Sequence, residues 1–333
     1  MNISKKALMS FLMALTSAVS MAQPYYHVMK RDGINQTEEA VYNAKNYKIK
    51  VDMVKPAPEG VIPVKIELTD YSCFGLTRSF YFTKFGNLYI DTNDTETVNG
   101  KVMGKFKQEE KQYICAQTET KALEEWNSGH KAHFLWGKSY NKCLRIYENG
   151  TLNDVTTTDD ESSFWISQKE TQKKLKRDLG DQEWAVLSRC EMEYIVNKFG
   201  SKAANYKIYT DNTYSTLVSN NCYMIDMQTT LDERGNPKTH PLLDQIKDYK
   251  LSVEEFENLE AQGLVCLPAV GYCSTGGNPY NQGIGAYYWT CTPYTDNENA
   301  LARAFLWSSS TRYRLQSIRR DFGAAVRLVV LAD

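Results

Sequence analysis

Two helix start signals, each joined to a strand-like segment, constrain the fold of this chain more than any other feature. Ser188 and Ser252 are each followed three residues later by a glutamate. In this capping-box pattern, the serine and glutamate side chains satisfy backbone N–H groups at the start of a helix. We therefore predict helices over residues 189–199 and 253–263, each ended by a glycine. An apolar segment precedes the first helix and another follows the second, which predicts an α+β domain.

Short strand-like segments separated by turn residues account for most of the remaining pattern. No segment after the N-terminus approaches 18 uninterrupted apolar residues, so we predict no transmembrane segment. Polar stretches over residues 91–104, 148–162 and 226–240 are predicted to be loops. The predicted strands cover residues 25–29, 47–51, 78–82, 87–90, 113–116, 134–136, 184–187, 264–267 and 324–330.

The first 22 residues have the organisation of a secretory signal peptide. Lys5 and Lys6 precede an apolar run over residues 7–19, and small side chains favour cleavage after Ala22. The apolar run is too short to span a bilayer, and a short buried helix is the alternative interpretation. We predict an exported protein that is periplasmic, displayed on the outer surface or secreted.

The mature chain divides by pattern into a short extension and a larger domain. Residues 23–66 combine strand-like segments with a proline-rich stretch, and about 44 residues rarely bury enough apolar surface to fold alone. We therefore predict an N-terminal β extension over residues 23–66 and one domain over residues 67–333.

The balance of charge excludes one class of partner. The chain has 39 Lys and Arg residues against 40 Asp and Glu residues, which gives a net charge of −1. Binding to phosphate backbones requires a surplus of basic residues on one face, so we predict no nucleic-acid partner.

Six motifs, in matching order over residues 78–331, resemble an exported bacterial family, the Fibrobacter succinogenes major paralogous domain. Residues 265–272 (VCLPAVGY) resemble its "FLPAAGY" segment, and residues 319–329 (RRDFGAAVRLV) resemble its closing "R..G.SVRLV". The other matching segments are FTKFGNLY at 82–89, LWG at 135–137, WAVLSRCEMEY at 184–194 and YWTCT at 288–292.

This resemblance implies a C-type-lectin-like fold of the sulfatase-modifying-factor branch. The implied domain is α+β, with two helices, a small twisted and mostly antiparallel sheet, and long loops on one face. The chain departs from the family at Cys190, Cys266 and Cys291, where the family has acidic, apolar and serine residues.

The sequence does not decide whether the eight cysteines form disulfides or remain free thiols. An exported chain enters an oxidising compartment where disulfides can form, but the cysteine spacing determines no connectivity. The family that this chain resembles is related to the formylglycine-generating oxidases, which use a redox-active cysteine pair and copper. Cys266, Cys273 and Cys291 lie close together in sequence, but none matches that catalytic pair. We predict structural cysteines and no catalytic residues.

Histidines and acidic loops give no convincing metal site. His130 and His133 precede the strand-like residue Phe134, where side chains three apart point to opposite faces, so we predict surface histidines. Residues 277–279 and 296–299 offer oxygen ligands, but the calcium motifs of sugar-binding lectins are missing. A Ca²⁺ site is therefore unsupported, and we predict neither metal nor cofactor.

Tyr, Gly, Ser and Asn dominate residues 272–317, a composition typical of binding loops. Trp289 and Phe305 lie in strand-like motifs and are predicted to be core residues. Residues in the intervening loops are predicted to form a ligand-binding face, although packing within the domain is the alternative. The predicted site residues are Tyr280, Asn281, Tyr294, Asp296, Ser310, Tyr313 and Arg314.

We therefore predict an exported, non-catalytic protein that binds a glycan or a protein ligand at the cell surface. A structural subunit of a bacterial surface assembly, with residues 23–66 supplying an edge strand, is one alternative. A relative of the formylglycine-generating oxidases is the other.

Overall fold

The structure is a computed structural model in which fifteen ranges of the chain are described. The signal peptide, the strand predicted at 25–29 and the strand predicted at 113–116 all lie outside these ranges. The described residues are 47–70, 76–84, 86–98, 101–108, 130–131, 133–134, 136, 143–148, 151–156, 164–215, 217–273, 279–293, 301–308, 314–320 and 322–332.

The chain separates into two units of unequal size. One unit comprises residues 1–48 and 69–77, of which only short strand ends are described. The other comprises residues 49–68 and 78–333 and contains the two hydrophobic clusters given below for the described residues. The boundary predicted after residue 66 falls inside a strand over Val64–Asp70.

The described residues form a mixed α+β structure with mostly antiparallel sheets, which confirms the predicted α+β class. The helices are α1 (Lys169–Leu179), α2 (Arg189–Phe199) and α3 (Val253–Glu260). The strands are β1 (Tyr47–Met53), β2 (Val64–Asp70), β3 (Leu76–Phe82), β4 (Leu88–Val98), β5 (Lys101–Gln108), β6 (His130–Lys131), β7 (Cys143–Glu148), β8 (Thr151–Thr156), β9 (Trp184–Ala185), β10 (Tyr206–Tyr209), β11 (Leu217–Asp226), β12 (Thr230–Leu231), β13 (Pro237–Thr239), β14 (Lys250–Ser252), β15 (Leu264–Pro268), β16 (Tyr272–Cys273), β17 (Pro279–Tyr280), β18 (Gly285–Pro293), β19 (Leu301–Ser308), β20 (Arg314–Arg319) and β21 (Val329–Leu331).

Three sheets organise the larger unit. The five-stranded sheet has the order β1-β2-β3-β21-β9, so the last strand of the chain pairs antiparallel with both β3 and β9. A four-stranded sheet has the order β14-β10-β11-β15, in which only β10 and β14 are parallel. Strands β18, β19 and β20 form an antiparallel meander.

Both predicted helix starts are confirmed. The Glu191 carboxylate accepts a bond of 2.7 Å from the Ser188 N–H, and the Glu191 N–H donates to the Ser188 hydroxyl. Ser252 and Glu255 make the same reciprocal pair. Helix α3 ends at Glu260, three residues before the predicted end, because the chain turns tightly into Gly263. None of the three helices in the described ranges has the length and apolar character needed to cross a membrane.

The prediction of two helices was wrong because it missed α1. This helix is strongly polar, and Leu175 is its one buried apolar side chain. Leu179 packs one turn further along at the edge of the same core. Lys174 lays its ammonium 5.0 Å from the centre of the Phe106 ring and donates to the Gly104 carbonyl, which joins α1 to β5.

The loops predicted at 91–104 and 148–162 are partly wrong, because both regions contain hairpin strands. Strands β4 and β5 pair across residues 88–108, and β7 pairs with β8. The strand prediction required alternating apolar residues, which these hairpins lack. Ion pairs between the strands, such as Lys107 with Asp91 at 3.0 Å, join β4 and β5 instead. In the loop predicted at 226–240, the turn at Gly235 is confirmed, and it joins the two short strands β12 and β13.

Two hydrophobic clusters are defined among the described residues of the larger unit. The first is built around aromatic rings, with Trp165 packing against Phe106 and Phe134, and it includes the fully buried Trp289. The second lies between α3 and the four-stranded sheet. Trp289 and Phe305 are both buried, which confirms their assignment to the core.

Candidate functional site

Four aromatic side chains meet in one group that we call the tyrosine platform: Tyr272, Tyr280, Tyr287 and Phe322. The Tyr272 ring is the centre of the group and stacks on Tyr280, with 5.6 Å between ring centres, and on Phe322, with 6.1 Å. Tyr287 meets the Tyr272 ring edge-on at 4.7 Å. Offset stacking and edge-to-face contacts are the favourable arrangements for aromatic rings, so the group holds its own geometry.

The platform joins segments that lie far apart in sequence. Tyr272 pairs with Tyr280 between strands β16 and β17. Next to it, Cys273 and Gly323 exchange two backbone hydrogen bonds of 2.8 and 2.9 Å, which place Phe322 beside Tyr272. Tyr287 and Phe322 also pack against the hydrophobic cluster that contains Trp165 and Trp289, so the platform is attached to the interior of the domain.

The loop after Tyr280 presents polar and apolar side chains to solvent. Asn281 is exposed and has a φ of 58°, a left-handed conformation that asparagine tolerates better than most residues. Its carbonyl accepts from the N–H groups of Ile284 and Gly285, both at 3.0 Å. The Gly283 carbonyl accepts from the Asn221 amide, which ties the loop to strand β11. The loop is therefore preorganised by its own hydrogen bonds.

The platform is half open to water. Tyr280 is 45% exposed and Ile284 is 50% exposed, whereas Tyr272, Tyr287 and Phe322 are half-buried. Burial raises the pKa of Tyr272, and the neighbouring Tyr280 contributes to the same shift. The Tyr272 hydroxyl therefore keeps its proton at neutral pH and can both donate and accept hydrogen bonds.

Gly271 is required for the close approach of β16 to the loop. Its φ is +74°, and a Cβ added there would overlap the carbonyl oxygen of Tyr280. We expect Gly271→Ala to lower the free energy of unfolding by about 1–3 kcal/mol, because it combines overlap with backbone strain. Gly180→Ala is the control, since Gly180 has a φ of +125° with nothing within 4 Å of the added methyl. Urea unfolding measures both, and equal losses would show that overlap at Gly271 is unimportant.

A buried imidazole–thiol pair lies directly behind the platform. The Nδ1 of His133 is 3.3 Å from the Cys273 sulfur, and its Nε2 is 2.8 Å from the Val270 carbonyl oxygen. A carbonyl only accepts, so Nε2 carries the proton and Nδ1 accepts from the thiol. Burial lowers the pKa of His133 to about 4 and raises that of Cys273. Both groups are therefore neutral, and they lie next to Tyr272 through its chain neighbour Cys273.

The prediction of surface histidines was wrong for His133, which is 1% exposed. The error followed from treating Phe134 as part of a regular strand, whereas Phe134 makes a single bridge to Ala324. His240 is half-buried and its ring nitrogen lies 2.8 Å from the Thr229 hydroxyl oxygen. The described ranges contain no group of three or more His, Cys, Asp or Glu side chains able to hold a metal.

The five cysteines whose side chains are described are thiols rather than disulfides. The buried Cys222 and Cys266 thiols hydrogen-bond to each other across strands β11 and β15, and burial is the main reason why the pKa of Cys266 is raised. Burial also raises the pKa of Cys291 to about 12. A nucleophilic or metal-binding cysteine has to form a thiolate readily, and these environments oppose that.

The structure brings together only some of the predicted site residues. Tyr280 and Asn281 lie side by side and are exposed. Arg314 begins strand β20, where its backbone pairs with Leu306. The remaining predicted site residues, Tyr294, Asp296, Ser310 and Tyr313, lie outside the described ranges.

The sequence interpretation missed three members of the platform, namely Tyr272, Tyr287 and Phe322. Tyr272 and Tyr287 belong to the same aromatic and glycine-rich stretch as Tyr280, and this shared composition was the available signal. Phe322 carried no such signal, because its place depends on the bridge between Cys273 and Gly323.

Comparisons with other proteins add nothing to this geometry. No family model, curated protein or solved structure matches the chain. The support for the candidate site therefore comes from the contacts among its own residues.

Proposed function

We propose that this chain is an exported, non-catalytic binding protein that recognises a glycan or a protein ligand through the tyrosine platform and the Asn281 loop. The observation that carries the proposal is the stacked group around Tyr272, with Tyr280 half open to solvent beside an exposed asparagine. Rigid aromatic rings give a large contact area at a low entropic cost, and neighbouring amides orient the ligand by hydrogen bonding.

The chemistry next to the platform supports binding rather than catalysis. Cys273 and His133 are the groups there that could act as nucleophile and base, but they are buried and neutral. Catalysis by such a pair needs a thiolate within reach of a substrate. The environment around this pair favours the protonated thiol instead.

The proposal includes the C-type-lectin-like scaffold and export by residues 1–22. Support for the scaffold comes from the two capped helices, the mostly antiparallel sheets and the pairing of β21 with the much earlier strand β3. The structural-subunit alternative depends on residues 23–66, of which residues 47–66 are described.

Substitution at the exposed part of the platform tests the function. We expect Tyr280→Ala to weaken ligand binding about tenfold or more, because it removes the exposed ring of the stack. Asn281→Gly keeps the left-handed backbone and removes only the amide, and we expect a smaller loss. Binding is measured on a glycan array and by capture of purified extracellular proteins, with the full chain.

Tyr249→Ala is the matched control, because Tyr249 has the same 45% exposure as Tyr280, and its φ of 58° equals that of Asn281. Its ring contacts Tyr206, which belongs to the second core. Equal binding by the Tyr280 variant, the Asn281 variant and the unmodified chain would contradict the proposed function.

A further inference from the structure

We infer that the ligand of the tyrosine platform, with the proposed function taken as given, is a neutral saccharide. Three of the four platform rings, Tyr272, Tyr280 and Tyr287, lie within residues 261–295, which contain no Asp, Glu, Lys, Arg or His. At the chain's average of 24% charged residues, a stretch of 35 residues would contain about eight. This absence of charge disfavours a sulfated, phosphorylated or carboxylated ligand, whose recognition depends on basic side chains.

Among the described residues, the charged residue closest in sequence to Phe322 is Arg320, and it is already engaged. The Arg320 guanidinium lies 4.4 Å from the centre of the Trp136 ring. A guanidinium over an aromatic face is stabilised there, so leaving it to meet an anion would cost that contact.

The polar groups of the platform and of the loop after Tyr280 match a polyhydroxylated molecule. Each sugar hydroxyl both donates and accepts hydrogen bonds, and so do the tyrosine hydroxyls and the amides of Asn281 and Gln282. The exposed face of the Tyr280 ring is the apolar counterpart for the C–H face of a sugar ring. A loop that is already fixed by backbone hydrogen bonds suits a small ligand, which has little contact area to offset the cost of ordering a loop.

The limited apolar area favours a saccharide over a protein. Among the described residues, Tyr280 and Ile284 are the exposed large hydrophobic side chains in this loop. A stable protein interface typically needs about 800 Å² from each partner, with a central group of buried anchors. Two exposed side chains next to three half-buried rings offer a contact area closer to the size of one or two sugar rings.

Paired glycans test the inference. The full chain is applied to neutral hexose and N-acetylhexosamine oligosaccharides, each printed beside its sulfated or uronic-acid counterpart. We expect binding to the neutral member of a pair to be at least tenfold stronger, to change less than twofold between 50 and 500 mM salt, and to fall about tenfold in Tyr280→Ala.

The outcomes separate this inference from the proposed function. Binding to charged glycans or to a protein that depends on Tyr280 and weakens with salt would overturn the neutral saccharide and leave the proposed function standing. Binding to neutral glycans that is unchanged in Tyr280→Ala and Asn281→Gly would overturn both. A chain that binds none of the neutral oligosaccharides would also overturn the inference.

Discussion

Glu191→Ala should lower the free energy of unfolding by about 3–5 kcal/mol, which is a large part of the stability of an ordinary domain. The Glu191 carboxylate is 0% exposed and lies 2.9 Å from the Arg78 guanidinium, which is 9% exposed. Removing the carboxylate takes away the anion that lies against this buried cation. The same change also removes the bond to the Ser188 N–H at the start of α2.

The second capping box supplies a matched control for this prediction. Glu255 occupies the same position in its helix as Glu191 does in α2, but it lies at the surface and bonds to the Tyr214 hydroxyl. We expect Glu255→Ala to cost about 1 kcal/mol, which is typical of a lost cap. Urea unfolding of both variants measures the difference, and similar losses would show that the Arg78 contact adds little.

A paired substitution separates the ion pair from the cap. Arg78→Met combined with Glu191→Met removes both charges of this pair and fills similar volume. We expect this double variant to be more stable than Glu191→Ala, although it still lacks the cap. If the double variant is the less stable of the two, packing around Arg78 matters more than its charge.

The sequence predicted local structure well where one short motif determines it. The capping boxes at Ser188 and Ser252 located two helices because their hydrogen bonds join residues only three apart. Helix α1 was missed because it buries so little apolar surface, and its one clue was the spacing of Leu175 and Leu179. A polar helix is stabilised mainly by tertiary contacts, which a local pattern does not contain.

The candidate site was only partly predictable for the same reason. Composition indicated Tyr280 and Asn281, because both belong to a tyrosine- and glycine-rich loop. The contact that completes the platform joins Tyr272 to Phe322, fifty residues apart in the chain. Such a contact depends on strand register, which is decided by the whole sheet. His133 was misplaced in the same way, since its partners lie more than 130 residues away.

His133 should make the protein less stable as the pH falls from about 6.5 to 4. Burial lowers the pKa of His133 to about 4, against 6.5 in the unfolded chain, with the Val270 and Gly271 carbonyls opposing part of that shift. The unfolded chain therefore binds a proton in this interval that the folded chain does not, and stability is fully present only above pH 6.5. The full loss from this residue is about 3 kcal/mol.

His133→Gln isolates this effect from the carboxylates that titrate in the same range. Glutamine has an amide N–H in place of Nε2–H, so it can still donate to Val270, but it has no proton to gain. We expect this variant to be less stable than the unmodified chain at pH 7.5, because it loses the contact with Cys273. Between pH 6.5 and 4 its stability should fall by about 3 kcal/mol less than that of the unmodified chain. Urea unfolding at several pH values measures both slopes, and parallel slopes would mean that His133 is not held neutral.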